Sequence, residues 1–329
     1  MRATHALLAA AAALALTASA ATAQSVIKVF TGGAPTGEGS AYHEGIGQGV
    51  LDVLEPIAKE YGYEVRRVPT NGSVDNANRL VSEDAGLAFG IGQGGLTYAP
   101  VESGAVKVVR NDLPGECAMA FTSEPQIASW GDIVNNRDRI SWVVPDNSGS
   151  KAFIERLYAE DANFAGSTPN FAFTSGAGKI LSAVQDSAKR GMVGFYYAYP
   201  NPTGGLINMA AKEDLSIFGV LSPDIARTDD AYYLNRKAPY KLAWLGLGET
   251  KTTRAMCSKA LLFANDISKI DDSWAREDAE KILAAVAGAK ASEMVAKNGP
   301  LAKLMRQVEE MSEEFGVNEM VTDLEKQLN

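Results

Sequence analysis

Histidine and cysteine are nearly absent from this sequence of 329 residues, which contains two of each. The histidines are His5 and His43, and His5 lies in the apolar N-terminal run. A metal site built on two histidines is therefore excluded for the rest of the chain, and a Ser-His-Asp triad would have to use His43. The segment Gly39-Ser40-Ala41-Tyr42-His43 lacks the G-x-S-x-G pattern of a nucleophile elbow, so we expect His43 to be a polar contact or surface residue.

An excess of positive charge is also lacking, because 31 Lys and Arg residues stand against 40 Asp and Glu residues. The formal net charge of −9 predicts an acidic surface, which disfavours nucleic acid and anionic lipid as partners. It does not argue against an anionic ligand, because the field inside a site need not follow the net charge. Beyond the N-terminal run, no segment approaches the roughly 20 apolar residues that a membrane span requires.

The N-terminal run has the features of a secretory signal. Arg2 supplies positive charge, Ala6–Leu16 is apolar, and Ala21-Thr22-Ala23 is a small-x-small cleavage site. The apolar part is too short for a membrane anchor, and no cysteine lies near the cleavage site to carry a lipid. We therefore expect residues 1–23 to be a cleaved signal peptide and the mature protein to be periplasmic.

Two apolar strands of the mature chain end in small-residue loops that open helices. Ile27-Lys28-Val29-Phe30 runs into the glycine-rich segment Thr31–Ser40, and Tyr63–Val68 runs into Thr70–Asn76. Glycine lets a ligand approach the backbone closely, and the unpaired N–H groups of a first helical turn can hold an anion such as a carboxylate. Two such loops at the carboxyl ends of neighbouring strands predict a binding cleft in an open α/β sheet.

A second unit repeats this pattern further along the chain. Strand Ile140–Val144 ends at the polar loop Pro145–Ser150, where a helix over Lys151–Ala159 begins. The alternation of strands and helices in both units predicts a parallel-rich sheet with helices on its faces. The remaining predicted segments are strands at Val106–Arg110, Glu116–Ser123, Phe171–Thr174, Met192–Tyr197 and Leu215–Leu221, extended segments at Tyr240–Leu247 and Thr252–Phe263, and helices at Ala177–Arg190, Leu206–Lys212, Asp272–Ala289, Ala291–Lys297, Leu301–Phe315 and Val317–Gln327.

Four of these segments resemble the TAXI-type solute receptors of tripartite ATP-independent periplasmic (TRAP) transporters. Thr31-Gly32-Gly33 followed by Tyr42 resembles the family's opening T-G-G…Y segment, and Thr70–Asn76 is similar to its T-x-G-S-V-x-N segment. Asn147-Ser148-Gly149-Ser150 resembles the G-S-G-[TS] loop, and Gly191–Pro202 looks like the later segment that faces the cleft. The order and spacing match over nearly the whole mature chain, and the first two motifs together are the specific ones.

The resemblance implies a type II periplasmic-binding-protein fold, an α/β fold whose two lobes close on a ligand about a hinge. Residues 24–126 would form the first part of lobe 1, residues 127–239 lobe 2, and residues 240–329 the return to lobe 1 with the C-terminal helices. The crossings between the lobes would lie near Pro125 and Pro239. The implied protein is a monomeric receptor, not an enzyme, that uses no metal or cofactor and hands a small organic acid to the membrane subunit of a TRAP transporter.

The implied ligand-binding residues come from loops of both lobes. They are Gly33, Thr36, Gly37, Tyr42, Gly72, Ser73, Asn76, Gln93, Asn147, Ser148, Gly149, Ser150, Lys151, Tyr196 and Tyr199. Ser73 and Asn76 would both cap a helix and contact the ligand. Lys151 and Arg110 are the cations placed to reach a carboxylate, although a solvated surface position is the commoner fate of such residues.

Two departures from the family pattern bear on the ligand. Gly92-Gln93-Gly94 stands where the family usually has Q-S-D, and Gly194 stands where an acidic residue is usual. Fewer acids and an added Lys151 favour an anionic ligand of the dicarboxylate or acidic amino acid class. An enzyme acting on a small acid, a sensor domain and a receptor for an ABC transporter remain alternatives. Against an enzyme, the sequence has no paired-carboxylate motif, metal cluster or cofactor fingerprint.

The two cysteines, Cys117 and Cys257, are expected to pair in an oxidising compartment. The resemblance implies that their segments are neighbouring strands near the hinge. A bond between them would close a loop of about 140 residues around lobe 2. The alternative is two separate buried thiols, because a buried cysteine also behaves as a small apolar residue.

Overall fold

The structure is a computed structural model that describes residues 26–32, 46–186, 190–198, 206–241 and 250–294. The predicted signal peptide and the predicted helices over 301–315 and 317–327 lie outside these ranges. The described strands are β1 (Val26–Phe30), β2 (Glu64–Val68), β3 (Ala88–Gln93), β4 (Val106–Thr122), β5 (Ser141–Pro145), β6 (Phe171–Thr174), β7 (Met192–Ala198), β8 (Ser216–Gly219), β9 (Tyr232–Lys241) and β10 (Thr250–Asn265).

The helices lie between these strands and after the last one. They are α1 (Gln48–Glu60), α2 (Ser73–Val81), α3 (Ala99–Glu102), α4 (Trp130–Asn135), α5 (Gly149–Glu160), α6 (Ile180–Gln185), α7 (Leu206–Lys212), α8 (Pro223–Thr228) and α9 (Ser273–Gly288). Short 3₁₀ segments occur at Ala162–Phe164, Ala177–Lys179, Ile267–Lys269 and Ala291–Met294. In the described part of the chain, no helix has the length and apolar character that crossing a membrane demands.

All ten strands belong to one mixed sheet with the order β2-β1-β3-β10-β4-β7-β5-β6, in which β8 also pairs with β4 and β9 with β10. Strand β1 is parallel to β2 and β3, and β5 is parallel to β6 and β7, whereas β4 and β10 run antiparallel to their neighbours. Each half therefore orders its own strands second, first, third, followed by a long strand that arrives from the other half. This arrangement confirms the α/β class and the two-lobe type II fold.

The apolar core is divided into two parts, which define the lobes. Buried residues between positions 27 and 113 pack with residues between 260 and 294, and we call this part lobe 1. Buried residues between 117 and 257 form the other part, lobe 2. The chain thus leaves lobe 1 on β4 between Leu113 and Cys117, and returns on β10 between Cys257 and Ala260. The predicted domain boundaries at 126/127 and 239/240 stay predictions.

Strand β4 corrects one expectation from the sequence. The sequence predicts two strands, Val106–Arg110 and Glu116–Ser123, but the structure has one strand of 17 residues. Pro114 and Gly115 interrupt the sequence pattern because proline cannot donate to a ladder. The register between β4 and β10 shifts three times between Lys259 and Phe263, so the ladder accommodates the proline at an irregularity.

Lobe 2 contains further differences from the sequence prediction. The helix expected over Ala177–Arg190 is a 3₁₀ turn followed by the short α6, and residues 187–189 lie outside the described ranges. Strand β9 begins at Tyr232, whereas extended structure was expected from Tyr240. Helix α8 was not predicted, although its start is marked by Ser222, whose side chain accepts a hydrogen bond from the Ile225 N–H, and by Pro223 in the first turn.

The predicted disulfide between Cys117 and Cys257 is present and lies where the two long strands cross between the lobes. The cysteines are direct register partners, and their Cα atoms are 4.0 Å apart. Both side chains are buried. The bond therefore joins the outgoing and returning crossings covalently at the start and end of lobe 2.

Replacing both cysteines, in Cys117→Ala/Cys257→Ala, is expected to lower the free energy of unfolding by about 3–5 kcal/mol, because the bond closes a loop of 140 residues in the unfolded chain. Urea unfolding of the variant and the oxidised wild type measures the difference. Thiol titration of the denatured, non-reduced wild type should find no free thiol, and two free thiols would contradict the assignment.

Candidate ligand-binding site

A cavity lies between the two lobes, at the carboxyl ends of parallel strands from both. This is the position at which open α/β sheets bind ligands. Its lining residues are Gly32, Asn71, Gly72, Ser73, Gln93, Glu116, Pro145, Ser148, Gly149, Ser150, Tyr196 and Tyr197. Loops after β1 and β2 and the end of β3 supply the lobe 1 side, and the loop after β5 with β7 supplies the lobe 2 side.

The lobe 1 wall is made of two loops in close backbone contact. Gly32 has φ 67° and Gly72 has φ 132°, and a Cβ on Gly32 would lie 3.1 Å from the Gly72 Cα. Glycine is required at both positions, since other residues rarely adopt such φ values. Helix α2 begins directly after Gly72, so its first turn faces the cavity with Ser73 as the leading side chain.

Asn76 has a structural role beneath this wall. Its side chain is fully buried, its Nδ2 donates to the Ile91 carbonyl at 2.7 Å, and its Oδ1 accepts a hydrogen bond from the Thr70 hydroxyl. These hydrogen bonds connect α2 to β3 and to Thr70 in the loop that precedes α2. Asn76 is not part of the described cavity lining, so it positions the wall on which Ser73 sits.

The lobe 2 wall is the start of helix α5. Ser148 is the N-cap, and its Oγ accepts from the Lys151 N–H at 3.2 Å and donates to the Pro145 carbonyl at 2.6 Å. Gly149 and Ser150 form the first turn and line the cavity. The first N–H groups of a helix have no partner within it, and the helix dipole favours an anion there.

The two walls touch each other across the cavity. The Asp75 N–H donates to the Asn147 carbonyl at 3.0 Å, and a Cβ on Gly72 would lie 3.4 Å from the Ser148 Cβ. The Arg156 guanidinium on α5 also donates to the Gly95 carbonyl of lobe 1. The cavity between them holds about 40 Å³, room for a few water molecules. Contacts from both lobes therefore limit the space at this position.

The floor of the cavity is polar and deeply buried. Glu116 is 1% exposed and Gln93 is 3% exposed. The Gln93 backbone is held by the Tyr98 hydroxyl, which accepts from its N–H at 2.9 Å and donates to its carbonyl at 2.8 Å. The Gln93 side chain lines the cavity together with Glu116 and Tyr197.

Several buried polar atoms around the cavity make no hydrogen bond of good geometry among the described residues: Ser73 Oγ, Gln93 Nε2, Glu116 Oε1 and Tyr197 Oη in the lining, with Tyr232 Oη and Ser258 Oγ behind it. Ser73 is close enough to the Tyr98 hydroxyl, and Gln93 and Tyr197 are close enough to each other and to Tyr232, for weak side-chain hydrogen bonds. Glu116 has no such neighbour. Native proteins leave few buried polar atoms unpaired. Such a concentration at one cavity is what a site for a polar ligand requires.

Burial also shifts the titration of this group. It raises the pKa of the Glu116 carboxyl well above its usual range, and it raises the pKa of the Tyr197 hydroxyl. The pKa of Tyr232 is raised to about 12, chiefly by burial. Burial therefore favours the uncharged forms of the hydroxyl and carboxyl groups at the floor.

The structure brings together part of the site predicted from the sequence. Gly72, Ser73, Gln93, Ser148, Gly149, Ser150 and Tyr196 line the cavity. Gly33, Thr36, Gly37, Tyr42 and Tyr199 lie outside the described residues, as does His43. Asn147 is exposed, and its backbone carbonyl accepts the hydrogen bond from the Asp75 N–H of lobe 1.

Neither predicted cation lies in the described lining. The Lys151 Nζ is 3.8 Å from an Asp146 carboxylate oxygen and 3.5 Å from one of Glu155. Arg110 pairs with Asp112 at 2.7 Å and also contacts the Ala289 carbonyl beyond α9, in lobe 1. Both cations are thus engaged with their own lobes.

Sequence reasoning missed Glu116 and Tyr197 as lining residues, together with Gly32, Asn71 and Pro145. Glu116 carried a usable signal, because it directly precedes the apolar run Cys117–Phe121 in a strand. Glutamate is almost never fully buried unless it is paired, so an acid in such a run indicates a special environment. Tyr196 and Tyr197 are consecutive residues of β7, so their side chains leave opposite faces of the strand. The sequence does not determine which of these faces is directed toward the cavity.

Comparison with known proteins gives a fold-level likeness alone. No protein-family model and no curated protein matches the chain. A solved structure described as a periplasmic transporter has 13% identity and a TM-score of 0.46, covering 91% of this chain and 98% of its own. The periplasmic binding protein BugD has 11% identity and a TM-score of 0.46, covering 89% and 97%.

A third solved structure is MatC from Rhodopseudomonas palustris with bound malate, at 12% identity and a TM-score of 0.45, covering 88% of this chain and 97% of that one. The first two are described as a periplasmic transporter and a periplasmic binding protein, and the third is described by its bound malate. Their TM-scores are below 0.5 and their identities are low, so they carry no argument about the ligand or partner of this chain.

Gly149→Ala is expected to hold the lobes apart, because its Cβ would lie 2.3 Å from Ser73 Oγ and 2.8 Å from Gln93 Oε1 across the cavity. Small-angle scattering of the variant should give a larger radius of gyration than the wild type. Gly131→Ala is the matched control: it is also a glycine in the first turn of a lobe 2 helix, and its Cβ meets nothing closer than 3.7 Å. Equal scattering for all three proteins would contradict the closed-cleft geometry.

Proposed function

We propose that this protein is a periplasmic solute receptor that binds a small organic anion between its lobes and delivers it to the membrane subunit of a TRAP transporter. The observation that carries the proposal is the meeting of two helix starts, from α2 and α5, at one cavity that is lined by buried polar side chains. The resemblance of the loop motifs to TAXI-type receptors supports the choice of transporter and of ligand class.

A carboxylate is the group that this cavity fits. The first turns of α2 and α5 offer N–H donors from opposite lobes, and each helix start carries about half a positive charge. Ser73 and Ser150 add hydroxyl groups at the same place. Since no cationic side chain is in the described lining, helix dipoles and neutral donors provide the attraction for the anion.

The remaining lining suits the rest of a small acid. Tyr196 and Tyr197 are 8% and 4% exposed and present aromatic surface beside the polar floor. Tyrosine combines an apolar ring with a polar end, so it covers the carbon skeleton of a ligand and still offers a hydrogen bond. Closure of the two lobes would then bury the ligand from both sides.

Recognition by a transporter requires that the liganded form differ in shape from the free form. Within the described residues, strands β4 and β10 connect the lobes, and hinge closure about such connections is the transition that binding proteins use. The disulfide joins the strands at the crossing and leaves the outer parts of both lobes unconstrained. The closed shape is the signal that a membrane partner would read.

A thermal-shift screen of small mono- and dicarboxylic acids tests the ligand class, because a ligand that binds the folded state raises Tm by mass action. For any acid that binds, Ser73→Ala should weaken the affinity by about one to two decades through loss of a hydrogen bond to a charged group. Ser82→Ala, at the exposed far end of α2, is the control and should leave the affinity unchanged. A panel without a binding acid would argue against the proposal, and turnover of a bound acid would indicate an enzyme.

Ligand is expected to compact the molecule in solution. Scattering profiles recorded with and without a saturating acid from the screen should show a smaller radius of gyration for the complex, since the free receptor exchanges between closed and separated lobes and the ligand favours the closed form. Superimposable profiles would speak against a receptor that signals by closing. Gly149→Ala should show little compaction, because its methyl group obstructs the closed form.

A further inference from the structure

Glu116 has the one ionisable carboxyl side chain in the described cavity lining, and the other described lining residues carry neutral side chains. It lies on β4 at the crossing between the lobes, one residue before the disulfide. Its Oε1 is buried without a hydrogen-bond partner among the described residues. No described ion pair or hydrogen bond of the Glu116 side chain gives it a structural role.

The groups around Glu116 come from every element that forms the floor, and they are neutral. Gln93 on β3 and Tyr197 on β7 share the cavity with it, and Ser258 is its register partner on β10. Tyr98 and Tyr232 stand behind them and titrate above their ordinary range because of burial.

Two described cations of this region are directed elsewhere. Arg156 lies over the Tyr232 ring, 5.4 Å from its centroid, and is paired with Asp229 at 2.6 Å. Lys259, next to Ser258 on β10, is exposed on the opposite face of the strand. No described cation therefore compensates a negative charge on Glu116.

An uncompensated carboxylate in this position would be strongly unfavourable, because burial penalises the charged form. A bound anion would increase the penalty, since two negative charges would share one small desolvated space. A protonated carboxyl group avoids both penalties and supplies an O–H donor to a cavity in which an anion needs donors.

We propose that Glu116 is protonated in the ligand-bound cleft and donates a hydrogen bond to an oxygen of the bound acid, so that the protein binds its anion together with one proton. This inference rests on the proposed function for the choice of an anion as ligand. It assigns Glu116 as a specificity-determining residue: the site accepts a carboxylate, keto or hydroxyl oxygen at its floor and sets the pH range in which the anion binds.

The linkage has a definite sign. Below the pKa of Glu116 the proton is already present, and the affinity for the anion is independent of this group. Above that pKa the proton must be taken up on binding, so the affinity falls by about tenfold for each pH unit. Glu116→Gln keeps a neutral donor of similar size, and it should bind the acid with an affinity that no longer depends on pH in this range.

The protonation state can be measured without any ligand. The infrared difference spectrum of wild type minus Glu116→Gln at neutral pH should contain the carbonyl stretch of a protonated carboxyl group. Glu124→Gln is the matched control, because it removes a second largely buried glutamate, which lies in lobe 2 and accepts a hydrogen bond from the Gly191 N–H. A carboxylate signal from Glu116 at neutral pH in the free protein, persisting in the complex, would overturn the inference.

Binding calorimetry on the wild type gives the second measurement, and it does not depend on the folding of a variant. An acid from the screen is titrated in buffers of different ionisation enthalpy, at a pH above the infrared midpoint of Glu116. Uptake of about one proton per ligand supports the inference. The opposite result would be proton release, with an affinity that rises with pH in the wild type and is lost in Glu116→Gln. It would show that Glu116 ionises to bind a cationic group, and it would overturn the inference.

The two proposals fail in distinguishable ways. If no acid binds but the protonated carboxyl band is present, the proposed function fails while the neutral state of Glu116 stands. If an acid binds without proton uptake above the midpoint, the receptor function stands and the role of Glu116 is refuted.

Discussion

The antiparallel pairing of β4 and β10 is the contact on which the rest of the structure depends. These strands of 17 and 16 residues carry the chain out of lobe 1 and back. Strand β10 lies beside the three parallel strands of lobe 1, and β4 lies beside the three parallel strands of lobe 2. Their ladder converts two half-sheets into one continuous sheet. The disulfide between Cys117 and Cys257 links the two strands at the boundary between the apolar cores of the two lobes.

The cavity follows from this pairing. Because each half of the sheet directs the carboxyl ends of its parallel strands toward the crossing, the helices that follow β2 and β5 begin opposite each other. Glycine at positions 72 and 149 then permits the two helix starts to approach within contact distance. The polar residues of the floor, Gln93 and Glu116, are buried because the long strand beneath them belongs to both lobes.

The sequence was informative wherever a local rule determined the structure. The strand–loop–helix pattern predicted both walls of the cavity. The signal peptide, with its oxidising destination, predicted the pairing of Cys117 with Cys257. The sequence was uninformative where tertiary pairing overrode local preference. Pro114 reads as a strand end, yet β4 continues through it at an irregular stretch of the ladder. Lys151 reads as a ligand contact, yet Asp146 and Glu155 hold its ammonium group outside the cavity.

The meeting of Cys117 and Cys257, with Cα atoms 4.0 Å apart, makes lobe 2 an insertion whose two ends adjoin. Everything between them forms a closed covalent circuit attached to lobe 1 at a single place. Such a unit is modular in a genetic sense, because a different segment with adjoining ends fits the same attachment without interrupting the lobe 1 sheet. Half of the cavity, the half that contains α5 and the two tyrosines, is therefore open to replacement by recombination while the other half is inherited unchanged.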